Sequence, residues 1–353
     1  MAITASLLRR YDPRDMYSSV GNIPNQIEAA WADITERSFP DACREVRHVV
    51  VAGMGGSAIP THFIQSVFRD RLSVPVTIVS DYTLPSWVDQ QTLVLLSSYS
   101  GGTEEVLAAA EQAEATGSPM VALTTGGKLA SMAKTYGVPS VVFKSEQNPC
   151  DQPRIGIGYA ATYQLGIFRQ LGFIDLTDDE MQNTLTSLRS SLEIYSGLDD
   201  ANPALMFANR ARLHAPLFMA SEHLAGNAHI LANQWNENAK NIAAWFLIPE
   251  LNHHLLEGMT RPNAVRKRML AVMIESDLYN SRIQNRYAIT RQVLEEQNVA
   301  SHTLTPGGDS VLTQAFDMLL MGGFASFYQA VLNRVNPTPI PWVDYFKELM
   351  EKQ

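Results

Sequence analysis

The sequence predicts an α/β fold with two doubly wound subdomains, each a parallel sheet flanked by helices. Unbroken runs of Val, Leu and Ile alternate with helical segments in both halves, and such runs are typical of parallel strands buried on both faces. Turns rich in glycine separate strands from helices in the first half. A long helical region lies between the halves, so the same order of elements occurs twice.

The composition narrows the class of protein. The chain has 353 residues, of which 46% are hydrophobic and 18% charged, so it is long enough for two domains with a substantial core. Its net charge of −9 argues against a nucleic-acid partner, whereas a small anionic ligand needs only a few local donors. The two cysteines, Cys43 and Cys150, suggest neither a disulfide framework nor a metal motif.

No targeting or membrane segment is expected. The N-terminus lacks the apolar region of a signal peptide, and the longest apolar stretches, near Ala243–Pro249 and Met318–Gly323, are too short or interrupted to span a bilayer. The sequence therefore predicts a reduced, soluble, cytoplasmic protein with no membrane partner.

The predicted elements follow in order along the chain. Strands are expected in RHVVVAG, VPVTIVS, QTLVLLS, PMVAL and VPSVVF, then in APLFMAS, NIAAWFLIPE, KRMLAVMIES and SHTL. The Pro- and Gly-rich stretch SEQNPCDQPRIGIGY predicts a linker. The predicted boundaries are 1–40 for an N-terminal helical segment, 41–150 for the first α/β subdomain, 151–200 for a linker with connecting helices, 201–335 for the second subdomain and 336–353 for a C-terminal tail.

A glycine turn, AGMGGSAI, follows the first predicted strand. Its spacing only superficially matches a dinucleotide-binding fingerprint, and Asp81 is a weak candidate for the ribose-binding acid. Gly55 and Gly56 either provide the backbone freedom that a tight strand-to-helix turn requires or allow the backbone to approach a ligand closely.

A second turn, SSYSGGTEE, carries more hydroxyl groups than a turn needs. Ser100 or Thr103 can cap the following helix, but one cap explains only one hydroxyl. Helix N-termini favour phosphate, and Ser and Thr add donors without bulk. The sequence therefore predicts phosphate binding here, and the absence of a Walker lysine argues against a nucleoside triphosphate.

The two turns resemble the sugar-isomerase (SIS) domain. Together with QPRIGIGY, NQWNENAK, IPELNHHLLEG and PTPIPWVDYFKEL, they make nearly the whole chain similar to the bifunctional phosphoglucose/phosphomannose isomerase family of the phosphoglucose isomerase superfamily. The resemblance implies two SIS-type subdomains, a sugar-phosphate substrate, no cofactor, no metal and a homodimer with a shared active site. It also implies an isomerase that interconverts glucose 6-phosphate and mannose 6-phosphate with fructose 6-phosphate.

The resemblance assigns roles to particular residues. Glu237 corresponds to the catalytic base, Arg154 to the group that stabilises the enediolate, and His253 and Lys347 to the groups that assist ring opening. In the family the histidine usually crosses from the partner subunit. The substrate phosphate-binding residues are expected to be Gly55, Gly56, Ser57, Ser98, Ser100 and Thr103.

The chemistry suits these residue types. One carboxylate close to C1 and C2 can move a proton between them, and the neighbouring Asn236 and Asn238 are expected to orient Glu237. A guanidinium offsets the charge of the enediolate, and a histidine titrates near the pH at which ring opening needs proton transfer.

Several alternatives remain open at this stage. His253 and His254 lie near Glu250 and Glu257, so a zinc site is conceivable, although H-H-x-x-E is not a recognised ligand motif. Arg154 can instead form a linker ion pair with Asp151. The turn at Ser221-Glu222 lacks glycines and is expected to serve structure rather than phosphate. Four other functions compete: a non-catalytic sugar-phosphate-binding SIS protein, an isomerase of another sugar phosphate, the isomerase half of glucosamine-6-phosphate synthase and a nicotinamide dehydrogenase.

Overall fold

A computed structural model describes residues 3–350 and residue 352. Within that part of the chain, the first sheet is built from five parallel strands in the order β2-β1-β3-β4-β5. Their bounds are His48–Ala52 (β1), Val76–Val79 (β2), Thr92–Ser97 (β3), Met120–Thr124 (β4) and Ser140–Val142 (β5).

The second sheet repeats this plan with four described parallel strands in the order β7-β6-β8-β9. Their bounds are Ala215–Ala220 (β6), Ala244–Leu247 (β7), Met269–Ile274 (β8) and Ala300–Leu304 (β9). The predicted α/β class with two parallel sheets is confirmed. In each sheet, successive strands are added first on one side of the starting strand and then on the other. This reversal of strand order lies between β1 and β3 in the first sheet and between β6 and β8 in the second. Ligands of such sheets bind outside the carboxyl ends of the strands at that point.

Helices flank both sheets and fill the region between them. In chain order they are α1 (Ala5–Tyr11), α2 (Met16–Gly21), α3 (Ile23–Thr35), α4 (Ile59–Val67), α5 (Glu104–Thr116), α6 (Gly127–Tyr136), α7 (Ile157–Gln170), α8 (Asp178–Tyr195), α9 (Pro203–Ala211), α10 (Ala225–Ala239), α11 (Leu255–Gly258), α12 (Asn263–Arg266), α13 (Ser281–Glu296), α14 (Val311–Leu332) and α15 (Pro341–Met350).

Two helices differ from the sequence-based expectation. Helix α7 begins at Ile157, so the last part of the stretch predicted as a linker is helical. Helix α14 has 22 residues and is long and apolar enough to cross a membrane by length and composition, but every residue of it after Val311 is buried inside the protein. The expectation that its apolar stretch is too short or interrupted to span a bilayer is wrong by length and composition, because the helix continues through Gly322 and Gly323 to Leu332. The outermost parts of the predicted terminal segments, residues 1, 2, 351 and 353, lie outside the described residues.

The two halves share a close contact between α4 and α10. A Cβ atom on Gly226 would lie 2.7 Å from the His62 carbonyl, so only glycine permits this approach. The Gly226 amide donates a hydrogen bond to the Ser66 hydroxyl at 2.9 Å. Through this contact, α10 of the second half packs on α4 of the first half.

A pair of histidines lies in the same interface. The rings of His62 and His229 are 4.9 Å apart, and His229 also stacks on Trp245 at 4.8 Å. Burial lowers the pKa of both histidines, and His62 adds to the effect on His229, whose pKa falls to about 4. Both rings are therefore neutral near pH 7.

The histidine pair predicts a loss of stability in acid. In the unfolded chain His229 takes up a proton near pH 6.5, whereas in the folded chain it does so only near pH 4. The unfolded state therefore binds more protons as the pH falls through this window, and the free energy of unfolding drops, by about 1–2 kcal/mol between pH 7.5 and pH 5 for His229.

Urea unfolding of the wild type and of His229→Gln at both pH values measures this effect. The variant is expected to lose less stability on acidification than the wild type. The matched control is His48→Gln, a change at an exposed histidine of the first sheet. An equal acid loss in His229→Gln and the wild type would show that His229 does not carry the effect.

Candidate active site

The first turn of the site is a short 3-10 helix at Gly55–Ser57, between β1 and α4. Gly55 has φ of +48°, a conformation that favours glycine. The Ser57 hydroxyl belongs to a side chain that is only 8% exposed, and it accepts a hydrogen bond from the Tyr99 amide at 3.0 Å. The turn after β1 is therefore joined directly to the loop after β3.

Gln164 supports both turns from behind. Its side-chain amide, buried on α7, donates to the Ser57 carbonyl at 3.0 Å and to the Ser97 hydroxyl at 3.2 Å. The Ser97 hydroxyl in turn donates to the Ser57 carbonyl at 2.9 Å. One glutamine of the connecting helices thus fixes the relative position of the two turns, and no sequence pattern signalled this role.

The hydroxyl groups of the second turn lie close together. Ser98 Oγ and Thr103 Oγ1 are 2.8 Å apart, and Ser98 Oγ accepts from the Gly101 amide at 3.1 Å. The Ser100 hydroxyl accepts from the Gly102 amide at 3.3 Å. Thr103 stands at the N-cap position of α5 but makes no side-chain capping bond, so a simple cap does not account for it.

A third turn, after β4, presses against the second. Gly101 has φ of +67°, and a Cβ atom there would lie 1.9 Å from the Gly126 carbonyl oxygen. A Cβ atom on Gly127 would lie 2.5 Å from the Ser100 carbonyl oxygen. The glycines of this contact allow three strand-end turns to meet at one corner of the first sheet.

Arg154 is the most heavily bonded side chain of the site and is only 5% exposed. Its Nε donates to Asn238 Oδ1 at 2.7 Å, and Nη1 donates to Gln152 Oε1 at 2.8 Å. Nη2 donates to the carbonyls of Pro337 at 2.9 Å and Thr338 at 2.7 Å. Burial lowers the pKa of Arg154 from its usual value, and the nearby Glu237 carboxylate opposes that change.

Glu237 lies in the last turn of α10, with its side chain 32% exposed and one carboxylate oxygen 3.6 Å from Arg154 Nη1. The neighbouring asparagines do not orient it, so that prediction was wrong. Asn238 accepts from Arg154 and donates to the Ser326 hydroxyl at 3.0 Å, while Asn236 donates to the Ala243 carbonyl at 3.0 Å. Asn238 therefore positions Arg154, and the alternative pairing of Arg154 with Asp151 is replaced by the pair with Glu237.

The hydroxyl-rich turns and the Arg154–Glu237 pair are neighbours. A Cβ atom on Gly56 would lie 3.4 Å from Arg154 Cα, so the first turn packs on the backbone of the arginine. The carboxyl edge of the first sheet thus carries neutral hydroxyl donors beside a guanidinium and a partly exposed carboxylate. This arrangement can hold an anion at one end and transfer a proton at the other.

His253 and Lys347 are not brought into this cluster. His253 ends a short 3-10 helix after β7 and is exposed, and Lys347 lies on α15, which is exposed along its whole length. Within the described chain, no hydrogen bond or ion pair joins either side chain to Arg154 or Glu237. His254 pairs instead with Glu250 at 3.0 Å, and no three potential metal ligands of the described residues cluster there or elsewhere.

Lys240 belongs to the cluster although sequence reasoning did not select it. It follows α10 in the left-handed conformation, with φ of +52°, and its ammonium donates to the Pro337 carbonyl at 3.0 Å and to the Glu237 carbonyl. Burial, and then the charge of Arg154, lowers the pKa of Lys240 to about 8. Its place in NENAK was a signal, but only the folded conformation shows where the side chain points.

The corresponding turn of the second half has a different character. The Ser221 hydroxyl donates to the Ile248 carbonyl at 2.8 Å, and the Glu222 carboxylate accepts from the Asn280 amide at 3.1 Å. Both side chains of the turn hold neighbouring backbone, and a carboxylate there would repel phosphate. These contacts support the structural role expected for Ser221-Glu222.

Comparisons with known proteins show the family to which the chain belongs. Residues 43–137 match the SIS domain family, and residues 200–350 match the family described as bacterial phospho-glucose isomerase C-terminal SIS domain. A bifunctional phosphoglucose/phosphomannose isomerase of Caldicellulosiruptor bescii is 31% identical over 338 residues, covering 94% of this chain and 98% of that protein. One from Aquifex aeolicus is 28% identical, covering 96% of this chain and 99% of that protein.

Solved structures show the same fold at lower identity. A hypothetical protein of Thermus thermophilus superposes with a TM-score of 0.69 at 18% identity, covering 98% of this chain and 92% of that one. A glucose-6-phosphate isomerase of Chlamydia trachomatis superposes with a TM-score of 0.67 at 14% identity, covering 93% of this chain and 72% of that one.

The contact at Gly101 predicts a large effect of one methyl group. Gly101→Ala is expected to destabilise the protein by more than about 3 kcal/mol and to abolish sugar-phosphate binding, because the new Cβ would collide with the Gly126 backbone. Urea unfolding and calorimetric titration with fructose 6-phosphate measure the two effects.

Gly137→Ala is the matched control for this change. Gly137 has the same φ of +67° but open space around its Cβ position, so it should lose only about 1 kcal/mol and keep its affinity. Similar behaviour of the two variants would show that the contact with Gly126 is unimportant.

Proposed function

The chain belongs to the bifunctional phosphoglucose/phosphomannose isomerase family, and we propose the residues with which it interconverts glucose 6-phosphate and mannose 6-phosphate with fructose 6-phosphate. It is a sugar-phosphate isomerase with two SIS-type subdomains. The observation that carries the assignment of roles is the Arg154–Glu237 pair beside the hydroxyl-rich turns of the first sheet.

The phosphate of the substrate binds to the hydroxyl groups of Ser57, Ser98, Ser100 and Thr103, with Gly55 and Gly56 allowing close approach of the backbone. The hydroxyls of Ser98 and Thr103 bond to each other at 2.8 Å, so a phosphate oxygen can take the place of this bond. The donors are neutral, and the N-terminus of α5 adds a partial positive charge. This end of the site anchors the sugar without taking part in the chemistry.

Glu237 moves the proton between C1 and C2. Its carboxylate removes the proton from C2 of the open aldose while the C1 carbonyl becomes an enediolate oxygen. The proton on O2 moves to O1, Glu237 then returns its own proton to C1, and the electron pair left on O2 forms the C2 carbonyl of the ketose. Arg154 is fixed by its other hydrogen bonds, so its charge stands beside the developing enediolate with no need for reorganisation. Glucose 6-phosphate and mannose 6-phosphate differ only in their configuration at C2, which is planar in the enediolate, so both aldoses yield the same intermediate.

Ring opening is assigned to His253 and Lys347, which complete the site in a homodimer. Both residues are exposed within one chain, although Asp344, which lies on α15 with Lys347, is close enough for its charge to oppose the lowering of the Arg154 pKa by burial. Helix α15 also exposes a line of large apolar side chains, with Trp342 82% exposed. An exposed apolar helix face of this kind favours contact with another protein surface, and in the homodimer the second subunit buries it.

We place the enzyme in the cytoplasm. Cys43 and Cys150 are both buried and free, and burial raises the pKa of each thiol, which makes them unreactive. Small anionic metabolites and reduced thiols are both found in that compartment.

Glu237→Gln tests the role of the base. The amide keeps the size of the side chain but accepts no proton, so kcat is expected to fall by about a thousandfold while affinity for fructose 6-phosphate changes little. Activity is measured in the presence of a chelator with each aldose phosphate, and exchange of the C2 hydrogen with deuterated water is followed in parallel.

Glu257→Gln, at an exposed carboxylate of α11, is the control and should keep full activity. A Glu237→Gln enzyme that still exchanges the C2 hydrogen at the wild-type rate would remove Glu237 from the mechanism.

Mixing two inactive variants tests the shared site. If His253 serves the partner's Glu237, a hybrid dimer of Glu237→Gln and His253→Gln has one site with both groups intact. Equal mixing after partial unfolding is then expected to restore about a quarter of wild-type activity. Sedimentation should give twice the mass of one chain.

Two results would contradict the shared site. A monomer in sedimentation, or no recovery of activity in dimers shown to be mixed, would place His253 in the site of its own subunit or outside it.

A further inference from the structure

Lys240 connects the catalytic helix to the segment that leads into the C-terminal helix. It ends α10, and its ammonium donates to the Pro337 carbonyl at 3.0 Å and to the carbonyl of Glu237. A cation at this position also faces the negative end of the α10 dipole, which favours it there. The lysine is therefore tied to its own helix and to residue 337 at once.

Arg154 binds the same segment from another direction. Its Nη2 donates to the carbonyls of Pro337 at 2.9 Å and Thr338 at 2.7 Å, so two cations share the Pro337 carbonyl. The sequence NPTPIP has prolines at 337, 339 and 341, which have no amide hydrogen to donate. The backbone of this segment can consequently form hydrogen bonds mainly through its carbonyl groups, and the two cations bind two of these carbonyls.

The position of α15 depends on this attachment. The helix begins at Pro341, and every one of its residues, Lys347 included, is exposed. The hydrogen bonds at Pro337 and Thr338 are therefore the nearest fixed point on the body of the protein for the helix. A change of direction at residue 338 would be carried along the first seven residues of α15 to Lys347.

We propose that Lys240 is a positioning residue of the isomerase, which with Arg154 clamps residues 337–338 to the end of α10 and so sets the place of α15 and Lys347. The proposal rests on the function proposed above. Lys240 acts through the clamp and does not touch the substrate. The charged groups around the clamp are Arg154, the Glu237 carboxylate and Asp344 of α15. The carboxylates and the shared carbonyl allow two cations to lie close together.

The chemistry of lysine fits this role. Its long flexible stem lets one ammonium reach two carbonyls on different segments, and a charge-assisted hydrogen bond is roughly twice as strong as a neutral one. Burial lowers its pKa to about 8, so the ammonium form prevails at pH 7. Methionine has a similar length and no charge, so Lys240→Met removes the bonds while largely keeping the packing.

Hydrogen exchange measures the clamp without reference to catalysis. In Lys240→Met the amides of residues 342–350 are expected to exchange at least about tenfold faster, while those of α14 are unchanged. Lys240→Arg, which keeps a cation, should restore most of the protection. Lys134→Met changes an exposed lysine in the last turn of another helix, α6, and should leave both exchange and activity unchanged.

Kinetics then show through which residue Lys240 acts. In Lys240→Met, kcat for fructose 6-phosphate is expected to fall about tenfold with KM nearly constant, because the phosphate turns are untouched. Lys347→Met should lower kcat by itself. Since both changes disable the same group, the double variant should be no slower than Lys347→Met, whereas independent effects would multiply.

Three results would overturn the proposal: unchanged exchange of residues 342–350 in Lys240→Met, multiplying losses in the double variant, or no rescue by Lys240→Arg. Lys240→Gln replaces Lys240→Met in every comparison should the latter not fold. Failure of the isomerase assignment is distinguishable, because wild-type protein would then show no turnover while the exchange experiment would still report on the clamp.

Discussion

A buried guanidinium is the constraint on which the active site depends. A charge taken out of water has to find acceptors, and Arg154 finds them on three separate segments: Gln152 of the connector, Asn238 of α10 and the carbonyls at residues 337 and 338. Removal of any one segment would leave N–H groups unpaired in the interior. The need to satisfy one side chain therefore holds the connector, the second half and the C-terminal segment together against the first sheet.

Charge is divided unequally between the two ends of the site. The turns proposed to bind phosphate offer hydroxyl groups and backbone, supported from behind by the neutral Gln164, whereas the cations stand beside Glu237. The phosphate is fully charged in both the ground state and the transition state, so tight binding there would not favour one over the other. In the proposed mechanism, negative charge on the enediolate appears only during the reaction, where a fixed cation would lower the barrier.

The sequence predicts the features that depend on a local pattern of residues. It misses those that depend on the close approach of segments distant in the chain. Apolar runs identify the strands, and the hydroxyl-rich loop leads to the proposal of an anchoring end for the site. Gly322 is an example of such an approach: a Cβ atom there would lie 2.9 Å from Leu231, so the glycine serves close packing of α14 on α10. The partner of Asn238 is Arg154, 84 positions earlier in the chain, and no periodicity predicts that meeting. Likewise, the left-handed backbone of Lys240 decides where its ammonium points.

The two halves share a topology but contribute opposite ends of their helices to the site. The first half presents strand-end turns and the N-terminus of α5, which favour an anion, while its counterpart in the second half carries the Glu222 carboxylate. The second half instead supplies the C-terminal end of α10, where unpaired carbonyls and a partial negative charge favour cations. A carboxylate at that end is repelled by the helix dipole unless cations stand close by, and Arg154 and Lys240 both do so. The second half therefore differs from the first in what it offers the site: a helix end at which a carboxylate lies beside two cations.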